Sequence, residues 1–183
     1  HHMLAFAAMM QGQNKVATDA INQMLQEIPE AWREKNAAMV DGMFSMPYEM
    51  HIRFGRWNEI LAEPEPPESL PITRAFRHYA RGVAFAAMNQ AGDARREQAR
   101  FRELVALIPE QAMFVMNPAS RVFQVADSML EGEILYRESQ VEEALAALKE
   151  AVEREEQLRY IEPPDWIQPV RHVLGAALMD AKR

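Results

Sequence analysis

Apolar side chains recur with helical spacing in two separate segments of the chain. In both segments they stand at positions i, i+3, i+4 and i+7, namely Ile21, Met24, Leu25 and Ile28, and again Phe101, Leu104, Val105 and Ile108. This spacing predicts two amphipathic helices, each with one buried stripe and a charged opposite face. The pattern therefore indicates a protein built from helices that pack against one another.

The two stripes belong to a longer internal repeat. The segment LAFAAMMQ-GQNKVATDAINQMLQEIPE aligns with VAFAAMNQAGDARREQARFRELVALIPE, with ten identities in twenty-seven pairs and one inserted residue. In each copy a glycine, Gly12 or Gly92, stands 17 residues before a proline, Pro29 or Pro109. We expect the glycine to form the turn between two antiparallel helices and the proline to follow a helix that it cannot continue.

A third copy follows in EGEILYRESQVEEALAALKEAVE, where Gly132, Leu135, Ala144 and Leu148 are spaced by 3, 9 and 4. These spacings resemble those of the tetratricopeptide repeat (TPR), a helix pair in which small residues let the helices approach and large residues fill the gaps. Leucine stands here where that repeat has aromatic residues. The resemblance implies an all-α fold of about nine helices, stacked as antiparallel pairs into a right-handed superhelical solenoid with a concave face.

Local signals predict how the helices of the third pair begin. Asn117 and Pro118 have the form of an N-cap and first helical position for its first helix. Ser139 and Glu142 have the form of a capping box for its second helix. Further helices are expected at 31–54, with an interruption near Pro47, at 56–62 and at 166–181.

The whole chain, 1–183, is predicted to be one repeat domain. Proline-rich connectors at 63–71 and 161–165 interrupt it, because clustered prolines forbid helix and favour an extended chain. The last helix has no predicted partner, which indicates a fragment of a longer protein, a helix supplied by another chain, or a terminal cap. We also expect a truncated N-terminus, since the first helix begins without a preceding cap.

Three longer stretches carry a closer resemblance: RFGRWNEILAEPEPP, HYARGVAFAAM and YIEPPDWIQPVRHVLGAAL. They are similar to the C-terminal half of a group of bacterial TPR proteins that have no assigned biochemical function. The similarity covers most of the chain from Met46 onward, and it implies that the initial His-His-Met is native sequence and not a tag remnant. It also implies a repeat solenoid with a binding role, and it transfers no catalytic residue.

Composition narrows the range of partners. The formal net charge is −7 and the isoelectric point is near 5.3, which disfavours nucleic acid and anionic membrane surfaces as partners. The chain has no cysteine, which excludes disulfides and thiol catalysis but leaves the redox compartment open. No apolar run is long enough for a membrane-spanning helix. The sequence does not fix the compartment, and a cytoplasmic location is favoured.

Few residues have the pattern of a catalytic or metal site. None of the five histidines lies in an H-E-x-x-H motif, and no two stand at i, i+4 on one helix, so we expect no metal and no cofactor. Met39, Met43, Met46 and Met50 form a helical stripe, which favours core packing over an adaptable peptide-binding surface, with copper binding as a third alternative. Trp166 either lines a ligand groove or packs its connector down behind a capping Asp165, and we favour the second interpretation.

The repeat register predicts which side chains face the concave groove. It places Glu49, Tyr79, Glu133, Tyr136 and His172 on that face, with Arg81 and Arg171 nearby, and we add Arg74, His78 and Trp166 as candidate ligand-binding residues. Arginine suits carboxylate recognition because its guanidinium bonds bidentately. We expect a non-enzymatic module that binds a peptide or partner protein in the groove. The alternatives are a self-assembly module and a small-ligand or enzymatic site in the same groove.

Overall fold

The computed structural model describes residues 1–182, apart from the side chain of Glu34. The described chain is all-helical, as the sequence predicts, and its only extended pairing within that range is an isolated bridge between Met113 and Pro118. Eleven α-helices follow one another: α1 (His2–Met10), α2 (Asn14–Glu27), α3 (Glu30–Lys35), α4 (Ala37–Val40), α5 (Met46–Arg53), α6 (Trp57–Ala62), α7 (Pro71–Ala87), α8 (Ala91–Val105), α9 (Ala119–Arg137), α10 (Val141–Glu156) and α11 (Val170–Asp180). Within residues 1–182, no helix is both long and apolar enough to cross a membrane.

Three helix hairpins, α1–α2, α7–α8 and α9–α10, share one turn geometry. Each first helix ends before a residue in the left-handed conformation, which is Gly12 (φ 72°), Asn89 (φ 60°) or Ser139 (φ 64°), and the next residue is in every case a glutamine that forms the N-cap of the second helix. Two predictions are therefore wrong. Gly92 lies inside the first turn of α8 and not in the inter-helix turn, and Ser139 is not the N-cap of a capping box.

The shared turn also corrects the register of the repeat. Small buried residues stand seven positions before the left-handed residue, at Ala5, Gly82 and Gly132, and five positions after it, at Ala17, Ala94 and Ala144. By this register the two AFAAM pentapeptides are offset by two residues and are not equivalent. The spacing explains the glycine in the third hairpin, because a Cβ on Gly132 would lie 2.6 Å from Leu148 Cγ on the facing helix.

The segment between the first two hairpins is more broken than predicted. Instead of one helix at 31–54, it forms α3, α4, the 3-10 helix Asp41–Ser45 and then α5, whose first turn contains Pro47. Proline is tolerated there because the first amide groups of a helix have no intrahelical partner. Of the methionine stripe, Met46 and Met50 are buried as predicted, whereas Met39 is 66% exposed.

The main core lies where the second and third hairpins meet. Its centre is a set of aromatic rings in edge or tilted contact, with centroids 5.2 to 6.2 Å apart: Phe76, Tyr79, Phe101, Phe114, Phe123 and Trp166. A smaller core joins α1 and α2 to α5 through Met9, Met24, Met46 and Met50. Since α5 also packs on α7, it links the first hairpin to the rest of the protein.

A carboxylate distant in sequence caps α7. Asp41 accepts hydrogen bonds from the backbone N–H groups of Ile72 (2.7 Å) and Thr73 (2.9 Å) and from the Thr73 hydroxyl (2.7 Å). These amides belong to the first turn of α7, where backbone donors need an external acceptor. The next residue, Gly42, lies so close to the loop before α9 that an added Cβ would be 1.9 Å from the Phe114 carbonyl oxygen.

A second distant carboxylate holds the two long loops together. Asp165 Oδ2 accepts hydrogen bonds from the backbone N–H groups of Met116 and Asn117 and from the Asn117 side chain, at 2.7 to 3.0 Å. Asp165 therefore does not cap a helix beginning at Trp166, and the last helix starts four residues later, at Val170. Asn117 is likewise not an N-cap, because α9 begins after Pro118 and the Asn117 side chain is buried against the second loop.

Candidate functional site

A groove runs between α9 and α11 and reaches α5 and α6. It consists of two adjoining cavities of about 340 and 200 Å³ that share Glu133 and Val173. We call it the α9–α11 groove. Other residues that line it are Ile52, Arg53, Trp57, Val83, Met129, Gly132, Tyr136, Arg137, Leu148, Gln168, Pro169, His172, Ala176, Ala177 and Asp180.

Glu133 is the half-buried acid at the junction of the two cavities. Burial raises the pKa of its carboxyl group, and the positive charge of Arg137 opposes that change. Within residues 1–182, no side chain lies at hydrogen-bond or ion-pair distance from this carboxyl group. The groove therefore holds a carboxyl group that has lost part of its hydration without gaining a partner in the described chain.

The fully buried Tyr79 hydroxyl lies behind Glu133. Burial and then the charges of Glu133 and Glu49 raise the pKa of Tyr79 well above its ordinary value, so both carboxyl groups are electrostatic neighbours of this phenol. Neither the hydroxyl of Tyr79 nor the Trp166 indole N–H has a hydrogen-bond partner in the described part of the chain. The aromatic core behind the groove therefore contains two buried polar groups that are not paired within the described chain.

Side chains at the edge of the groove are held by the fold itself. The Tyr136 hydroxyl donates to the Asp180 carboxylate, which ties α9 to α11. Arg53 donates through Nε to the Met9 carbonyl oxygen at 3.2 Å, and Gln168 donates to the Glu49 carbonyl oxygen at 3.3 Å. The groove walls are thus fixed by contacts that do not involve Glu133.

Three of the candidate residues do line this groove. Glu133, Tyr136 and His172 all line its two cavities, with Glu133 shared between them. Three other candidates, Tyr79, Trp166 and Glu49, are at most 3% exposed and lie in the core. The correction follows from packing, since the rings of Tyr79 and Trp166 contact each other with centroids 5.4 Å apart and leave no face for a ligand.

Glu49 is a buried acid of the core, and its contacts suit a protonated carboxyl group. Ser45 Oγ is 2.7 Å from the Gly42 carbonyl oxygen and 3.2 Å from Glu49 Oε1. Because the hydroxyl has one hydrogen and the carbonyl can only accept, Ser45 donates to Gly42, and a protonated Glu49 donates to Ser45. Burial raises the pKa of Glu49 to about 8; a Ser45 hydroxyl turned toward the ionised carboxylate would lower it, and the charge of Asp165 adds to the rise.

The arginines and the histidine of the HYARG region of α7 pair with neighbouring elements and not with the groove. Glu97 on α8 bonds both His78 Nδ1 (2.6 Å) and Arg81 Nε (2.8 Å). Burial opposes ionisation of Glu97, but these two partners outweigh it and lower the pKa of Glu97. Arg74 bonds Glu65 in the proline-rich connector at 2.6 Å.

Arg171, the remaining candidate, pairs with Glu156 at the end of α10 and lines a different cavity. The structure therefore does not gather the predicted arginines into one site. Sequence reasoning also missed several residues of the α9–α11 groove. Trp57, Val173 and Ala177 form part of its apolar surface. Val173 and Ala177 are four positions apart on α11, and this helical spacing is the sequence signal that could have identified them.

Comparison of the chain with protein-family models, with curated proteins and with solved structures gives no match. The relationship to TPR proteins therefore stays a prediction from the residues and their spacing.

Proposed function

We propose that this chain is a non-enzymatic protein-interaction module that binds a peptide segment of a partner protein in the α9–α11 groove. The observation that carries the proposal is the groove itself, whose lining is mainly apolar and whose two cavities share the half-buried acid Glu133. Apolar surface with few polar groups is the usual composition of a binding cleft. A helix groove of this kind can receive either an extended or a helical segment.

We also infer that the three hairpins are TPR-like repeats of one solenoid. Small residues twelve positions apart, such as Gly132 and Ala144, support this inference because they allow the close approach on which that repeat depends. In solenoids of this class, peptides bind along the face formed by successive repeats.

Peptide selection tests the binding proposal. A random peptide library would be panned on the wild-type chain and on Ala176→Arg, which places a long charged side chain at an exposed groove position of α11. Ala146→Arg makes the same change at an exposed position of α10 and serves as the control. We expect the enriched peptides to bind the wild type and Ala146→Arg with the same affinity and to lose their binding to Ala176→Arg. Peptides that bind all three proteins equally, or no enrichment at all, would refute the proposal.

Self-assembly is a second candidate, favoured by apolar residues exposed at both ends of the described chain. Met3 and Leu4 on α1 are 68% and 53% exposed, and Met179 on α11 is 80% exposed. Exposed apolar ends of this kind favour head-to-tail association. Light scattering after size-exclusion chromatography would give a mass near 21.0 kDa for a monomer and a multiple of it for an assembly. A monomer at all concentrations would rule this candidate out.

A further inference from the structure

The carboxylates of α9 differ in their partners according to the helix face they occupy. On the side facing α8, Glu131 accepts hydrogen bonds from Arg95 (2.8 Å), Gln98 (2.8 Å) and Arg102 (3.1 Å). On the same side, Asp127 accepts from Arg102 at 2.7 Å. Glu133 is only two residues from Glu131, yet it has no such partner in the described chain. The helix therefore pairs its other acids internally and leaves one carboxyl group facing the groove.

This isolated carboxyl group is costly for the free protein. Partial burial removes hydration from Glu133, and the raised pKa reports that cost. Arg137, one turn along on α9, is exposed and opposes the pKa change only through its charge. A cationic group brought by a partner would form the charge-assisted bond that the fold itself omits.

The rest of the groove restricts what kind of cation fits. One of the two cavities that Glu133 lines is mainly apolar, with Trp57, Val83, Met129 and Val173 in its walls, although Arg53, Gln168 and His172 also line it. Lysine and arginine side chains combine a methylene stem, which packs on apolar surface, with a charged end that seeks a carboxylate. A small hydrated metal ion would leave this apolar surface uncovered.

We propose that the α9–α11 groove binds a partner-protein segment that places one lysine or arginine side chain against the Glu133 carboxyl group, with its methylene stem on the apolar walls. This inference rests on the proposed function and specifies the partner. The net charge of −7 supports it, because a negative protein attracts basic segments over a distance.

The test pairs a change in the peptide with a change in the protein. Peptides selected against the groove would be synthesised with their basic residue or with norleucine in its place, and binding would be measured by fluorescence anisotropy. On the wild type, norleucine should weaken binding by at least about tenfold, as expected for a lost charge-assisted bond. On Glu133→Gln, the two peptides should bind within about twofold of each other.

Glu153→Gln, at an exposed position of α10, is the matched control and should keep the full preference for the basic peptide. Urea unfolding of Glu133→Gln, which should show no loss of stability, establishes that the variant is folded. If groove peptides lack a basic residue, or if their basic preference survives Glu133→Gln, this inference is wrong and the proposed function stands. If Ala176→Arg weakens the binding of no selected peptide, both this inference and the proposed function are wrong.

Discussion

Replacement of Glu49 by glutamine should remove a large part of the pH dependence of stability. The pKa of Glu49 is raised from 4.5 to about 8 in the fold. At about 1.4 kcal/mol for each pH unit between these values, its ionisation opposes folding by up to roughly 5 kcal/mol. Local relaxation and water entry reduce such values, so we expect at least about 2 kcal/mol.

The sign follows from which state holds the proton. Between pH 4.5 and about 8 the unfolded chain has released the Glu49 proton while the folded chain retains it. The free energy of unfolding therefore falls as pH rises through this window and levels off above it. Glutamine cannot ionise, and its amide N–H can donate to Ser45 as the protonated acid does, so Glu49→Gln should lack this loss.

Urea unfolding followed by circular dichroism, from about pH 5 to about pH 9, measures the difference directly. The stability of Glu49→Gln relative to the wild type should rise with pH up to about 8 and then level off. Glu153→Gln, which changes an exposed acid on α10, should stay parallel to the wild type. Parallel curves for Glu49→Gln and the wild type would show that Glu49 is not a neutral core acid.

Three further predictions concern contacts that fix the fold. In urea unfolding, Gly42→Ala should lower the free energy of unfolding by about 3 kcal/mol or more, because its Cβ would lie 1.9 Å from the backbone oxygen of Phe114. Gly92→Ala, with open space around it, should raise that free energy by about 0.5 to 1 kcal/mol. The reverse order would contradict the packing. Asp165→Ala should lower the free energy of unfolding by about 3 kcal/mol, since it leaves three hydrogen-bond donors of the loop before α9 without their acceptor. A loss below about 0.5 kcal/mol would show that Asp165 does not hold the two long loops together. Glu97→Gln should lower the free energy of unfolding by about 1 to 2 kcal/mol at neutral pH. This loss should shrink as pH falls below 4.5 toward the lowered pKa of Glu97 in the folded state. A loss that does not change with pH would argue against the ion pairs.

The sequence predicts the helices well because their signals are local. Apolar spacing placed the stripes of α2 and α8, and buried residues such as Ile21 and Phe101 lie on them. The turn between paired helices was harder to predict from the sequence. Gly92 has the residue type expected of a left-handed turn, but Asn89 and Ser139 adopt that conformation instead, and asparagine and serine are common in many other settings.

The caps were missed for a different reason. Asp41 binds the first turn of α7 from 31 and 32 residues away, and Asp165 binds the loop at residues 116–117 from 48 and 49 residues away. Capping rules read from sequence assume that the acceptor lies within a few residues of the helix start. Only the packing of the 3-10 helix against α7 and of the two long loops against each other brings these groups together.

Part of the groove was predictable because helix phase places residues on a face. Glu133 and Tyr136 are three residues apart on α9, which puts both on the side toward α11. The same reasoning failed for Tyr79, because α7 is packed by α5, α6, α8 and α9 and keeps little free face. A polar residue type on a central helix is therefore weak evidence of a binding site.

Glu49 and Glu133 are two carboxyl groups placed near one buried phenol, and the protein relieves their desolvation differently. The Glu49 carboxyl group can remain protonated and donate to Ser45, so its desolvation cost is reduced inside the fold and develops as pH rises from 4.5 toward about 8. Glu133 has no comparable acceptor among the described residues, and its carboxyl group opens on the groove. The first arrangement relieves part of the cost within the protein, although Glu49 Oε2 has no hydrogen-bond partner in the described chain. Under the proposed function, a partner cation relieves the cost of the second. Of the two acids near Tyr79, Glu133 is therefore the one that the proposed function assigns to recognition, while Glu49 belongs to the core.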